Sequence, residues 1–398
     1  MILRCYPTIS DWVNHQFGTS FQWPIHSFGF FVALAFVVAA LLASVELKRM
    51  QKLGLLQPVL RRIKLGEPAT PQQLILNAVV GFVIGFKLLA VVFDYSSCAS
   101  NPQEFLFSTH GNILGGLIGA ALGAYLRYRQ KQKKKLDKPR WEEVKVFPHQ
   151  MLGDLVVVAA IAGLVGAKIF SFLEDPDDFR NFLKDPASGF FSGLTIYGGL
   201  IFGTVAVVWF ARKRGIPAWH LADALAPALM LAYGIGRIGC EVSGDGDWGI
   251  ASVGDKPGWL AWLPERLWAY DYTHNIINEG ELIEGCKEDH CYRLVPAVFP
   301  TPLYETIAST LLFAVLWGIR KRLSVPGMLV SIYVIMNGVE RFFIEKIRVN
   351  ARYDLGFVQP TQAEIISLLF VVVGVVMLVW LRRRARKATK GKLNGGVG

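Results

Sequence analysis

Nine stretches of roughly 17 to 25 mostly apolar residues, beginning near Phe28, Leu74, His110, Leu152, Phe190, Leu221, Leu303, Val325 and Ala363, constrain this chain more than any other feature. A run of that length crosses the hydrocarbon core of a bilayer as a single helix. In lipid each backbone amide and carbonyl must be satisfied within the protein, and consecutive runs of this kind satisfy them as helices. The expected fold is therefore an all-α polytopic membrane protein of about nine transmembrane helices. The composition, 53% hydrophobic and 18% charged, agrees. The run from 325 to 345 is polar at its outer end, where Arg341 and Glu345 stand.

Orientation follows from the basic residues, which are retained on the cytoplasmic side in short loops. "ELKRMQKLGLLQPVLRRIKLG", "RYRQKQKKKLDKPRWEEVK", "ARKRG", "IRKR" and "LRRRARKATKGK" occupy alternate connections and the C-terminus, whereas "EDPDDFRNFLKDPAS" and residues 241–300 are neutral or acidic. This predicts an N-terminus outside and a cytoplasmic C-terminus. The net charge of +11 is then a topology signal, suited to anionic lipid headgroups and not to nucleic acid. "MILRCYPTISDWVNHQFGTS" lacks the continuous apolar core of a cleavable signal peptide. The five cysteines, Cys5, Cys98, Cys240, Cys286 and Cys291, fall on or near the outer side in this topology. For Cys286 and Cys291 the alternatives are a disulfide, free thiols or, with His290 between them, a zinc site lacking a visible fourth ligand.

Two helical hairpins resemble each other. "VIGFKL" at 83–88 and "LVGAKI" at 164–169 share a glycine and a lysine at equal spacing, and each precedes an outer loop and a glycine-rich run, "STHGNILGGLIGA" or "LTIYGGLIFGT". A duplicated hairpin explains both. Gly115, Gly119 and Gly123 at every fourth residue need no role beyond close helix packing. Residues 241–300 read as a small periplasmic cap, too short and irregular for a core of its own, with Trp259, Trp262 and Trp268 suited to the membrane interface. The organisation expected is an outer segment at 1–27, the first span and a basic loop at 28–73, the inserted hairpin and a basic loop at 74–150, and core helices at 151–240. The cap at 241–300, the last helices at 301–382 and a basic tail at 383–398 complete it.

Charge inside the apolar zone is costly, about 2.5–3.5 kcal/mol for an arginine at a helix centre, and needs a partner. Tyr233, Arg237 and Glu241 recur at every fourth position and share one helix face. Asn337, Arg341, Glu345 and Arg348 form a second polar stripe, and "FPTPLYETI" brings Tyr304 and Glu305 to the same depth. An internal ion-pair network of Arg341, Glu345 and Arg348 is the purely structural alternative. Arg237 has only Glu241 as a local acid and sits in a glycine-bracketed turn. The "GIGRIG" within it matches a dinucleotide fingerprint, but there is no βαβ context to support that reading. An arginine pair suits bidentate phosphate recognition, and the phosphate available at this depth is a phospholipid headgroup.

At these residues the sequence resembles the prolipoprotein diacylglyceryl transferase family. Six motifs occur in family order: "IHSFGFF", "LGDLVVVAAIAGLVGAKIF", "GLTIYGGLIFG", "GIGRIGCEVSGDGDWG", "FPTPLYE" and "ERFFIEKIR". The resemblance implies a multi-pass protein of the bacterial inner membrane with a periplasm-facing site. It implies transfer of the diacylglyceryl group of phosphatidylglycerol to the lipobox cysteine of a prolipoprotein signal peptide, with release of glycerol phosphate and no metal or cofactor. It places the signature arginine at Arg237, the late arginine at Arg341 and the following acid at Glu345. The family has seven spans, and the inserted hairpin accounts for two more. Phe28, Tyr197, Cys240 and Phe299 depart from the family's tyrosine, histidine, asparagine and histidine, which leaves the proton acceptor open.

In the chemistry so implied, Arg237 and Arg341 stabilise charge on the departing phosphate. Tyr197, His110 and His26 are the candidates for handling the thiol proton. Glu345, Arg348, Tyr304, Glu305, Tyr233, Asn337, Cys240 and Gly249 are expected to line the substrate site, and Asp245 and Asp247 either orient the headgroup glycerol or cap the "GDGD" turn. The rival readings are a transporter and a non-catalytic family member that binds anionic lipid or lipoprotein precursors.

Overall fold

The computed structural model describes residues 4–20, 23, 25–93, 105, 110–137, 139–184, 189, 193–254, 256–350, 352–354, 356 and 359–394. Cys98 and Phe190 lie outside that set. Among the described residues seven helices are long and apolar enough to cross a membrane: Ser27–Lys52, Pro71–Phe93, Pro148–Glu174, Ile196–Lys213, Ala218–Ser243, Thr301–Ile319 and Gln362–Lys387. The chain is thus helical and polytopic. The runs expected near His110 and Val325 are also helices, Ile113–Gln132 and Met328–Glu345, but the first ends in a basic turn and the second carries Glu340, Arg341 and Glu345. Neither contains an 18-residue stretch as apolar and as sparsely charged as those in the seven.

The chain divides into two compact units. One comprises 22–24 and 56–216. Its strands β1 (Val59–Leu65) and β2 (Arg140–Val146) pair antiparallel, Val59 opposite Val146 and Leu65 opposite Arg140. The last four residues of each, "RIKL" and "EVKV", alternate charged and apolar, and Arg62 donates to Glu143 across the ribbon at 2.9 Å. The basic connections, read from sequence only as loops, therefore carry a β-ribbon. Helices α3 (Pro71–Phe93) and α4 (Ile113–Gln132) pack as one hairpin, and α5 (Leu152–Glu174) and α7 (Ile196–Lys213) as another, with the short α6 (Pro176–Lys184) between the latter two.

The glycine stripe has the packing role expected of it. A Cβ at Gly119 would run into the Gly81 carbonyl, and one at Gly85 into that of Gly115. The repeated lysines are also accounted for: Lys87 Nζ donates to the Phe105 and His110 carbonyls at 2.6 and 2.7 Å, and Lys168 Nζ meets Asp178 at 2.6 Å. Each lysine ties its helix to the segment that joins the two helices of its own hairpin.

The other unit comprises 1–21, 25–55 and 217–398. A capping box of Thr8 and Asp11 starts α1 (Ile9–Phe17), and α2 (Ser27–Lys52) follows. Helix α8 (Ala218–Ser243) ends at Gly244 in the left-handed region, φ 63°. Helices α9 (Thr301–Ile319), α10 (Met328–Glu345) and α11 (Gln362–Asn394) complete the bundle. The start of α2, the end of α8, the start of α9 and the end of α10 meet under the segment 244–300, which carries the small strands β3 (Glu281–Leu282) and β4 (Tyr292–Arg293).

That segment is better built than its sequence suggests. Cys5, Trp248, Tyr270, Tyr272, Leu294 and Val298 form a buried cluster, and the N-terminal strand of chain is stitched to it by Cys5 N to Thr273 O at 2.8 Å and Tyr6 N to Val242 O at 2.7 Å. The cap therefore has a small core, to which residues 241–300 supply Trp248, Tyr270, Tyr272, Leu294 and Val298 and the N-terminal segment adds Cys5. Cys286 and Cys291 are disulfide-bonded, which removes the free-thiol and zinc alternatives. Trp259 and Trp262 are exposed, while Trp268 packs edge-on against Phe299 with ring centroids 5.0 Å apart.

Candidate active site

Four pieces of chain deliver charge to the capped end of the bundle. The last turns of α8 supply Tyr233, Arg237 and Cys240, and the loop after it supplies Asp245 and Asp247. The second turn of α9 supplies Glu305, and the end of α10 with the turn beyond it supplies Arg341, Glu345 and Arg348. Gly249 fixes the loop. It pairs as an isolated antiparallel bridge with Arg348, its amide donates to Phe299 O at 2.9 Å, and a Cβ there would lie 2.6 Å from Ile347 O. Any larger residue would push the loop off the turn that carries Arg348. The Thr301 hydroxyl, donating to Asp247 O at 2.9 Å, anchors the same loop to α9.

Glu305 is fully buried and is the hub. It accepts the Tyr233 hydroxyl, pairs with Arg237 Nε, accepts Arg348 Nη1 at 3.1 Å and lies 3.6 Å from Arg341 Nη1. Asp247 is the second centre, paired with Arg237 Nη1 and with Arg348 Nη2 at 2.5 Å. Glu345, also buried, takes Arg341 Nη2 at 2.7 Å and the Asn350 amide at 2.6 Å. The guanidiniums of Arg237, Arg341 and Arg348 thus meet the carboxylates of Glu305, Asp247 and Glu345, and formal charge balances. In a low-dielectric setting such compensation is what allows buried charge to persist. Two donors are left over: Arg341 Nη1 and Arg348 Nε are buried with no hydrogen-bond acceptor among the described residues.

The convergence expected from the two stripes is present, but the pairing differs from the sequence reading. The local acid of Arg237 is not Glu241, whose carboxylate instead accepts the Tyr272 hydroxyl from the cap at 2.7 Å. Arg348 is not confined to its own stripe, since its carboxylate partners come from the α8–cap loop and α9. The Tyr304 hydroxyl donates to Leu267 O at 2.5 Å and holds the cap. Asn337 lies one turn before Arg341 and makes none of the network's described hydrogen bonds. Tyr197 and His110 belong to the other unit, where each stands at the start of the second helix of its hairpin. Sequence reading missed Glu340. It is 8% exposed, and the signal for it was available: a carboxylate inside an apolar run.

Electrostatics divide the two loop acids, which stand outside the membrane spans. Burial alone would raise the Asp247 carboxyl, but Arg237 and Arg348 outweigh it and hold it below the usual carboxylate range. Burial dominates at Asp245 and pushes its carboxyl up. Burial would lower the Arg348 guanidinium, yet Asp247 and Glu305 push it higher. Ligand atoms of Cys240, Asp245 and Asp247 lie within 4.8 Å of one another. Asp247 is spent on two arginines and Arg237 Nη1 is 3.8 Å from Cys240 Sγ, so a cation placed there would face a guanidinium. This trio is an anchor for the loop, and its donor set does not fit a metal.

Comparison with known proteins agrees with the motif order. A family model described as prolipoprotein diacylglyceryl transferase matches residues 17–142 and 136–380. A phosphatidylglycerol–prolipoprotein diacylglyceryl transferase of Streptococcus sanguinis is 27% identical over 273 residues, covering 67% of this chain and 89% of that protein. A protein of the same name from Oceanobacillus iheyensis is 26% identical over 270 residues, covering 67% and 82%. One from Corynebacterium glutamicum strain ATCC 13032 is 29% identical over 248 residues, covering 59% and 70%.

Proposed function

The chain belongs to the prolipoprotein diacylglyceryl transferase family, and we propose that it transfers the diacylglyceryl group of phosphatidylglycerol to the lipobox cysteine of bacterial prolipoproteins. The product is a thioether and the leaving group is glycerol phosphate. We further read the chain as nine spans in the inner membrane, with the N-terminus and the capped site facing the periplasm and the C-terminus cytoplasmic.

The observation that carries this reading is the meeting of three arginines at the capped end, with Arg341 Nη1 and Arg348 Nε unspent. A lipid phosphodiester entering beside them accepts those two donors and competes with Glu305 and Asp247 for the rest. The substrate thiolate attacks the glyceryl carbon bonded to the phosphate oxygen, and the carbon–oxygen bond breaks. Negative charge then grows on the departing phosphate. Guanidiniums already held in place stabilise that charge without reorganising, an effect of about 10²–10³ in rate per donor. Arg237, tied to Asp247 and Glu305, sets the position of both carboxylates and faces the same charge. Arg341 and Glu345 form the corresponding pair on α10.

The test is incubation of the purified protein with labelled phosphatidylglycerol and a lipobox peptide. The expected products are a thioether-linked lipid on the peptide and free glycerol phosphate, both lost in Arg237→Ala and in Arg237→Lys, because a point charge lacks the planar fork. Lipid binding with no labelled peptide from the unaltered protein would instead indicate a carrier or a non-catalytic relative.

A further inference from the structure

Within the ionic cluster most carboxylate oxygens have work to do. Glu305, Asp247 and Glu345 each take guanidinium groups, Glu241 takes the Tyr272 hydroxyl, and Asp245 takes the Asp247 amide at 3.3 Å. Glu340 differs. It is 92% buried by its 8% exposure, its Oε1 has no hydrogen-bond partner, and no guanidinium is paired with it among the described residues. It stands on α10 next to Arg341, about 1.5 Å away along the helix axis. The charged groups facing it are Glu305 from α9, Arg237 from α8, and Arg341 and Arg348 from its own side, with the Tyr233 hydroxyl also within its field. A buried carboxylate with a free lone pair costs free energy in a packed bundle, and within this cluster it can take a proton without breaking an ion pair. By contrast, protonating Glu305 or Asp247 would release the arginines that hold the phosphate.

We propose that Glu340 is the proton acceptor for the lipobox thiol. This rests on the transferase reading above. As the thiol sulfur approaches the glyceryl carbon, its proton passes to Glu340 Oε1, and the sulfur lone pair forms the carbon–sulfur bond. The carbon–oxygen electron pair leaves with the phosphate, so glycerol phosphate departs as the dianion. Glu340 then returns its proton to that dianion or to water, and atoms and charge balance. A base positioned in this way contributes about 10²–10⁴ in rate.

The experiment compares Glu340→Gln with the unaltered full-length protein on two peptides, one with the lipobox cysteine and one with selenocysteine in its place. The selenol is already ionised at neutral pH and needs no base. With the cysteine peptide, Glu340→Gln should lose at least about 100-fold in kcat while KM for phosphatidylglycerol stays within about threefold. With the selenocysteine peptide most of that loss should be restored. Activity of Glu340→Gln close to the unaltered protein on the cysteine peptide would overturn the proposal, as would a loss that the selenol leaves untouched. If Glu340→Gln does not accumulate, Glu340→Asp, which keeps a carboxylate one methylene back, is read by the same selenol-to-thiol ratio. An unaltered protein that lipidates neither peptide would refute the transferase reading itself, a result distinct from a failure at Glu340.

Discussion

The helical unit that holds the site has a buried carboxylate clamped by arginines at each end, and the two ends are wired differently. At the end away from the cap, Glu46 is fully buried. It accepts Arg49 Nε at 3.0 Å on both oxygens, Arg49 Nη2 at 2.5 Å and Arg320 Nε at 3.0 Å. Arg320 lies 3.5 Å over the Trp317 ring and also donates to that residue's carbonyl. Asp223 nearby accepts the Gly327 and Val330 amides at 2.7 and 2.8 Å and so caps α10. Among the described residues, the buried atoms without a hydrogen-bond partner at that end, His220 Nδ1 and Gln51 Oε1, lie on neighbouring side chains and not on the ions of the clamp. At the capped end, where Glu305 has an equally dense set of partners, they lie on charged groups: Arg341 Nη1, Arg348 Nε, Glu345 Oε2 and Glu340 Oε1. Buried charge by itself therefore does not mark a site, because both ends have it. Unspent donors on the arginines themselves, beside an unpaired carboxylate, do, since they are what an incoming anion and a proton can use.

This contrast can be broken most directly at the two hubs. Glu305→Ala should destabilise the protein by about 3–5 kcal/mol, because it leaves the buried Arg237 and Arg348 with Asp247 alone as their shared carboxylate. It should also abolish lipidation, measured by thermal unfolding in detergent alongside the peptide assay. Arg320→Ala should cost about 1.5–3 kcal/mol, the scale of a hydrogen bond to a charged group, yet leave turnover per folded molecule unchanged. Loss of turnover in that variant would make the two ends equivalent and remove the distinction. A smaller effect tests the loop: Gly249→Ala places a methyl 2.6 Å from Ile347 O, which should cost about 1–3 kcal/mol. It should lower kcat more than it raises KM for lipid, because it displaces Asp247 and Arg348 together.

How much of this was legible beforehand depended on whether the signal was local. Tyr233, Arg237 and Glu241 could be placed on one face because they lie within a single helix whose period is known. Arg341 and Glu345 could be paired for the same reason. Glu305 could be set at the depth of Arg237 because it lies near the start of an apolar run. The partner of Arg237 could not be read, because Asp247 reaches it only after the chain reverses at Gly244 and is pinned by Thr301 and Gly249, contacts that no spacing encodes. Tyr304 looked equivalent to Glu305, but neighbouring helical residues point about 100° apart, and its hydroxyl went to the cap. Glu340 was hidden by the stripe beside it: 337, 341 and 345 shared a face, and 340 did not. The β-ribbon is legible only in part: "RIKL" and "EVKV" alternate charged and apolar, but the "VL", "RR" and "EE" pairs at or before their start break the period, and the surrounding basic residues read as a loop.

The smallest effect separates two loop acids with a single residue, Gly246, between them. In the folded protein Asp247 is held below its ordinary value near 3.9 by Arg237 and Arg348 despite its burial. Its contribution to stability is therefore fully present above the unfolded value and is lost only as pH falls through the depressed folded one. Asp245 is raised by burial. Its folded state prefers the proton, so its contribution is favourable at low pH and is lost as pH climbs from the unfolded value through the raised folded one. Asp247→Asn should lower the unfolding temperature at neutral pH and shrink the loss at acid pH. Asp245→Asn should leave the acid limb alone and remove the decline on the neutral side. Unfolding curves of both variants across pH 3–7 decide it. Matching slopes would mean that the two carboxyls share one environment and that the arginines of α8 and the α10 turn do not discriminate between them.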